Sequence, residues 1–116
     1  YVEELVETLG YALINQGDYA AAMSILDYER WYTSADFMFL KALILMNNGQ
    51  LQAAVDTFLH CTRMPQSSKA GVTSFKAWYN IGVILEFSGM TTDAQACYTQ
   101  CGDYPPAQAG LTRLNA

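Results

Sequence analysis

The sequence predicts an all-α domain: an array of three helix–turn–helix units followed by a C-terminal capping helix. Two observations carry that expectation. Gly17, Gly49 and Gly89 each close an apolar run of helical period, and each is followed five residues later by an alanine: Ala22, Ala54 and Ala94. The glycines stand 32 and 40 residues apart, a spacing that marks repeat arrays, whose units bury their apolar faces on one another. The second observation is that every segment between the turn signals reads as helix, so no sheet is expected.

The elements follow in order. Val2, Leu5, Val6, Leu9 and Leu13 recur at helical spacing, giving a first helix that ends near Gln16 and Gly17. Asp18 can cap the second, which carries Ala22, Met23, Ile25 and Leu26 inward and runs to about Arg30. After a short connection, Ser34 or Asp36 starts the third helix, which ends at Asn48 and Gly49. The fourth covers about 51–63, where Met64 and Pro65 stop it. Residues 66–74, with Ser67, Ser68 and Gly71, form a loop insertion that accounts for the longer second spacing and is the candidate mobile element. The fifth helix covers about 74–87, and the sixth about 91–101. A seventh follows at about 106–114, with proline in its first turn, where the missing N–H costs nothing. The expected organisation is therefore one domain over 1–116, with units at 3–34, 35–65 and 75–104 and a cap at 105–116.

Composition limits the partners. Of the 116 residues 52% are hydrophobic and only 15% charged, which suits a packed domain and not a disordered one. Six basic residues against eleven acidic ones give a net charge of −5, with no Lys/Arg cluster. Such a chain is a poor binder of nucleic acid or anionic membrane, since both depend on neutralising phosphate charge. Lys41 interrupts the best apolar stretch, so no transmembrane helix is expected. The chain starts at Tyr1 directly in a helical pattern, as a piece of a longer protein would. Cys61, Cys97 and Cys101 are an odd number of thiols, read as reduced in a cytoplasmic protein.

The residues that repeat in register are the large residue Trp78, the large–small pair Ile81 and Gly82, then Leu85, Gly89, Ala94, Tyr98 and Cys101. Their counterparts are Met38, Ala42, Leu45, Gly49, Ala54, Phe58 and Cys61, and, less completely, Val6, Leu9, Gly10, Leu13, Gly17, Ala22 and Leu26. Small residues at 10, 42 and 82, and at 22, 54 and 94, let paired helices approach closely. Two positions depart from the phrase: Lys41, where an apolar residue is usual, and Glu29, where a small one is. Over residues 3–101 the phrase resembles the tetratricopeptide repeat family. That resemblance implies a right-handed superhelical array and a role in binding protein or peptide.

It also implies a concave groove lined by the first helix of each unit. The candidate partner-binding residues are Tyr11, Phe39, Leu40, Leu43, Met46, Lys76, Tyr79, Asn80, Val83 and Phe87, with Glu4, Glu7, Thr8, Asp36 and Glu86 along the same faces. Some relatives clamp a C-terminal carboxylate with lysine, asparagine and arginine. Here the matching positions hold Glu7, Tyr11 and Leu40, with Lys76 alone agreeing and Asn80 in place of arginine, so that ligand is not expected. The groove is instead apolar and aromatic, suited to an amphipathic helix or hydrophobic peptide. A neighbouring domain of the same chain is an equally suitable occupant, and self-association is a further expectation, because a short array leaves apolar ends exposed.

No enzymatic chemistry is expected. Cys97 and Cys101 lie four apart on one helix, but a zinc site needs four ligands and only His60 and Cys61 are left to supply them. Cys61 and Cys101 also hold equivalent small-residue positions, so packing explains them. His60 and Cys61 adjoin in sequence, which on a helix points them apart. The glycines end helices instead of following strands, so there is no phosphate loop. No cofactor and no metal are implied.

Residues 71–86, GVTSFKAWYNIGVILE, and the ending Tyr104-Pro105-Pro106-Ala107 with Leu111-Thr112-Arg113-Leu114 are similar to the tetratricopeptide region that follows the catalytic domain in some bacterial family-2 glycosyltransferases. That likeness covers about a quarter of the chain. It implies an accessory region that positions an acceptor or self-associates, without the acidic metal-binding motif of sugar transfer.

Overall fold

In a computed structural model, which describes residues 2–65 and 70–115, the chain is helical throughout, with no strand among the described residues. The elements are α1 (Val2–Asn15), α2 (Tyr19–Ala22) running into a 3₁₀ segment (Met23–Tyr28), α3 (Ala35–Asn47), α4 (Leu51–Thr62), α5 (Phe75–Phe87), α6 (Thr91–Thr99) and α7 (Pro105–Leu114). Neighbours in sequence pack in space, and α3 also lies against α1, so the helices stack into an elongated body of 44 × 28 × 21 Å. The expected all-α repeat array is the fold observed.

The three turns are the same turn. Gly17, Gly49 and Gly89 have φ of 77°, 81° and 81°, a left-handed conformation that residues with a Cβ adopt at a cost. Each glycine N–H donates to the carbonyl three residues back, at Ile14, Met46 and Glu86 (2.9, 3.1 and 3.1 Å). The next N–H, of Asp18, Gln50 or Met90, donates five residues back to Leu13, Leu45 or Leu85, at 2.9 Å each time. This pair of bonds satisfies the free carbonyls at a helix C-terminus and reverses the chain at a fixed angle. Identical turns produce identically oriented pairs, which is how a sequence period becomes a stack.

Helix starts differ more. The Ser34 hydroxyl accepts from the Phe37 N–H (3.1 Å) and donates to Glu3 (2.6 Å), so one side chain caps α3 and ties it to α1. Asp18 accepts from the Ala21 N–H (3.2 Å). Despite that cap, the second helix is α-helical only over Tyr19–Ala22, where the sequence suggested a helix reaching Arg30. Two local causes are visible. The Ser24 hydroxyl donates to the Ala21 carbonyl (2.8 Å), a bond that competes with the helix ladder. Glu29 stays exposed where its counterparts Cys61 and Cys101 are buried, so the end of this segment is not drawn onto the core.

The core forms three linked clusters: one where the first pair meets α3, one running through α3 to α6, and one between α6 and α7. Ala22, Ala54 and Ala94 are all fully buried, as the close-packing argument requires. At Gly82 a Cβ would come within 2.6 Å of the Tyr98 ring in the partner helix α6. At Gly10 the close neighbour is not α2 but Leu40 of α3, 2.7 Å from a Cβ placed there. The first pair lacks an aromatic at the Tyr98 position, where it has Leu26, and Leu40 of the following helix fills the notch instead. Trp78 is half-buried and bridges two clusters.

The seventh helix packs against α6. The Tyr98 ring lies between Gly82 of α5 and Gly110 of α7, where added Cβ atoms would each reach within 2.6 Å of it. Its hydroxyl donates to Glu86 (2.7 Å), which in turn receives two bonds of 2.7 Å from the Arg113 guanidinium of α7. Of the loop insertion, residues 66–69, including Gln66, Ser67 and Ser68, lie outside the described residues. Its described end carries Val72, which is buried in the core.

Candidate binding groove

The first helices of the pairs, α1, α3 and α5, carry the candidate residues, and six of the ten lie around two hollows. One, of about 430 Å³, is lined by Tyr11, Phe39, Ala70, Val72 and Lys76. The other, of about 510 Å³, is lined by Met46, Asn47, Gly49, Leu51, Val83, Ile84 and Phe87. The ten candidates therefore divide into three groups.

Tyr11, Phe39 and Lys76 meet at the first hollow, although they come from three different helices. Phe39 contributes little more than an edge: it is buried and packs edge-on against Phe58 at 5.4 Å. Tyr11 is half-buried, and its phenol is shifted strongly upward, first by burial and then by the nearby charges of Glu7 and Asp36. Glu7 and Asp36 are themselves buried. Lys76 is the charged residue of the lining, and the two carboxylates lie near Tyr11.

Met46, Val83 and Phe87 meet at the second hollow. Phe87 is 82% exposed, which is unusual for a phenylalanine. It is the last residue of α5, so the turn at Gly89 leaves its ring projecting beside the cavity.

The remaining four candidates do other work. Leu40 is a correction: it is fully enclosed against Gly10 and cannot line a groove. Tyr79 is half-buried, 5.9 Å from the Tyr98 ring and 5.5 Å from that of Tyr104, and it belongs to the cap interface. The Asn80 side-chain amide donates to the Lys76 carbonyl one turn back (2.8 Å). Leu43 packs half-buried on the central cluster.

Sequence reasoning missed Leu51, Ile84, Asn47 and Gly49 in the second hollow. Its wall crosses from the first helix of one pair to the start of that pair's second helix, so a rule restricted to first helices omits Leu51. Val72 and Ala70 were assigned to the loop. A lone valine in a polar insertion was the available signal that the chain dips back into the core.

Cys61, Cys97 and Cys101 are buried and free. Burial pushes the Cys61 thiol up to about 12 and that of Cys101 up to about 11, and it raises Cys97 as well. All three are protonated and unreactive at neutral pH. Among the described residues no three His, Cys, Asp or Glu side chains are placed to hold a metal ion. No helix among them is long and apolar enough to cross a membrane.

The array geometry has its match among known families. No curated protein matches the chain. The tetratricopeptide repeat family matches it twice, over residues 35–67 and 75–107, each time spanning one helical pair with its turn glycine. Together the two matches cover more than half of the chain, which belongs to the tetratricopeptide repeat family.

Proposed function

We propose that the chain is a non-catalytic interaction module that takes an apolar peptide or amphipathic helix into the groove formed by α1, α3 and α5. Repeats of this family generally mediate protein–protein interaction. The observation that carries the finer reading is the second hollow: a cavity of about 510 Å³ with Met46, Leu51, Val83 and Ile84 around it and Phe87 projecting beside it. A preformed apolar cavity of this size suits large aliphatic or aromatic side chains of a peptide. An exposed aromatic at its edge is the kind of residue that supplies binding energy at low entropic cost. The first hollow adds Lys76 beside Tyr11, a polar fixture some distance along the same groove. A flat, purely apolar face would recognise any greasy helix, whereas two separated hollows of different polarity specify spacing.

Selection of displayed peptides on the isolated chain tests this reading. Selected peptides should share a large apolar residue, and their affinity should fall at least tenfold with Val83→Glu or Phe87→Ser and stay unchanged with Trp31→Ser on the first pair. Binding that is indifferent to Val83→Glu and Phe87→Ser would remove the groove assignment. The accessory role beside a family-2 glycosyltransferase domain rests on the likeness of residues 71–86 and of the ending at 104–107 and 111–114. The same groove would then serve an acceptor protein or the adjoining catalytic domain.

A further inference from the structure

The two hollows of the groove differ in what reaches into them. Tyr11, Phe39 and Lys76 stand 6, 10 and 13 residues before the turn glycines of their pairs, steps of about one helical turn. They therefore hold one face of α1, α3 and α5, and Ala70 and Val72 of the insertion line the same hollow with them. Val72 is 2% exposed, while Gly71 and Thr73 beside it are half-buried and Ala70 and Ser74 are exposed. An aliphatic side chain from outside the helices thus enters the groove face as a peptide side chain would. At the second hollow the insertion contributes nothing to the lining, and Phe87 projects into solvent. The backbone around Val72 is turn, tied to α5 through the Gly71 carbonyl, which accepts from the Ser74 and Lys76 N–H groups (3.1 and 2.9 Å). Ser34 caps α3 with its side chain, whereas Ser74, at the same place before α5, makes no such bond.

We infer that Val72 is an internal ligand of the groove: it fills an aliphatic subsite beside Tyr11, Phe39 and Lys76, and a partner peptide displaces it to seat a side chain of similar size there. This rests on the groove reading above and extends it. The partner then carries two apolar residues, a large one for the second hollow and a branched aliphatic one for the first. Val72 is the member of the central cluster suited to such an exchange. Phe39, Phe58 and Ile81 belong to helices, whose backbone ladders must open before those side chains can leave. Val72 stands in a turn segment, the kind of structure from which low-energy local openings are drawn. A peptide that buries an equivalent side chain restores the apolar contact that Val72 gives up. Until then the internal ligand lowers the apparent affinity by the fraction of molecules in which the subsite is open.

Val72→Cys, which keeps a small buried side chain, tests the inference. The three native thiols are buried, so reaction with an aromatic disulfide reagent reports residue 72. In the free chain that thiol should react at least tenfold faster than the native ones, with the helical circular dichroism unchanged. A displayed peptide selected on the native chain, added to saturation, should speed the reaction at least tenfold again by ejecting residue 72. Reaction at the rate of the native thiols overturns the inference, because Val72 then leaves only when the array unfolds. A bound peptide that slows the reaction or leaves it unchanged also overturns it, while the groove reading stands. Val72→Gly supplies a second measurement. Selected peptides should bind it at least tenfold more tightly than the native chain, and peptides selected on it should add a valine, isoleucine or leucine at a fixed spacing from the large apolar residue. Unchanged affinity in a folded Val72→Gly chain counts against the inference; should that variant lose its helicity, the thiol rates decide. Peptides from Val72→Gly but none from the native chain support it, and none from either removes it together with the groove reading.

Discussion

The first and third helical pairs are written in the same phrase and turn through the same hydrogen bonds, yet they are unequally built. In the third, Tyr98 fills the notch at Gly82, is held on its other face by Gly110, and anchors its hydroxyl on Glu86. In the first, the matching residue is Leu26, which is only partly buried, the second helix tightens to 3₁₀ after one turn, and Leu5, Leu9, Tyr28 and Trp31 face solvent. The first pair even has the better side-chain cap, since Asp18 bonds its helix while Gln50 and Met90 do not bond theirs. A cap contributes about 1 kcal/mol, less than a buried aromatic ring provides. Interior packing, and not the helix start, decides which pair is sound.

The largest expected effect tests that statement directly. Tyr98→Ala removes a fully buried ring shared by three helices and should cost about 3–5 kcal/mol, in the range for large buried aromatics. Leu26→Ala at the matching position should cost markedly less, because that side chain is smaller and only partly buried. Chemical denaturation of both variants decides the matter, and equal losses would show that the two pairs contribute alike. Native-state hydrogen exchange sharpens the comparison further. Amides of α2 and the 3₁₀ segment should exchange through openings of lower free energy than those of α5 and α6.

Glycine substitutions come next. Ala at Gly82 or Gly10 would gain helix propensity of about 1 kcal/mol, and in both places the new Cβ meets an atom closer than 3.0 Å. The obstacle at Gly82 is the Tyr98 ring, which Gly110 and Glu86 prevent from moving, so overpacking of about 1–3 kcal/mol should prevail. At Gly10 it is a methyl at the far end of Leu40, which a small rotation moves aside, leaving Gly10→Ala near neutral. Melting curves of the pair of variants separate the two cases, and two equal shifts would mean that Leu40 is as fixed as Tyr98.

Much of this was legible in the sequence because it depends on local chemistry. Turn glycines, small residues at fixed offsets and stop signals near Pro65 and Pro105 act within one helical pair, and every helix starts close to where those signals put it. What sequence could not give was contact between pairs. Leu40 follows the first-helix rule for groove residues, yet Gly10, thirty residues earlier, draws it into the core. Lys41 and Glu29 each broke the repeat phrase and read as unrelated lapses. In space they are partners, 2.6 Å apart across the junction between first and second pairs. The groove suffers most from this limit, since a hollow is defined by what neighbouring pairs leave empty.

That junction supplies a smaller test. The Lys41 and Glu29 side chains are 24% and 48% exposed, so water competes for the pair and its coupling should be no more than about 1 kcal/mol. A double-mutant cycle with Lys41→Leu and Glu29→Ala measures it. The double variant restores the repeat phrase at both positions and should be neutral or mildly stabilising, as apolar replacements of ion pairs often are. A large loss in the double variant would mean that the pair sets the angle between the first two units.

The smallest effect lies at the other end of the array, where Arg113 and then the Tyr98 hydroxyl hold the Glu86 carboxyl down at about 2, from an ordinary value of 4.5. A lowered carboxyl pKa adds stability that is fully present above the ordinary value and is lost as pH falls toward the folded one. The contribution should therefore fade between about pH 4.5 and pH 2, and Glu86→Gln should flatten that part of the melting-temperature profile while changing little at neutral pH beyond a constant offset. Arg113 is more than half exposed, so salt should erode the same contribution at pH 7. A profile unchanged by Glu86→Gln would mean that the ring of Tyr98 alone, wedged between two glycines, docks α7, and that the ionic lock follows from the packing without adding to it.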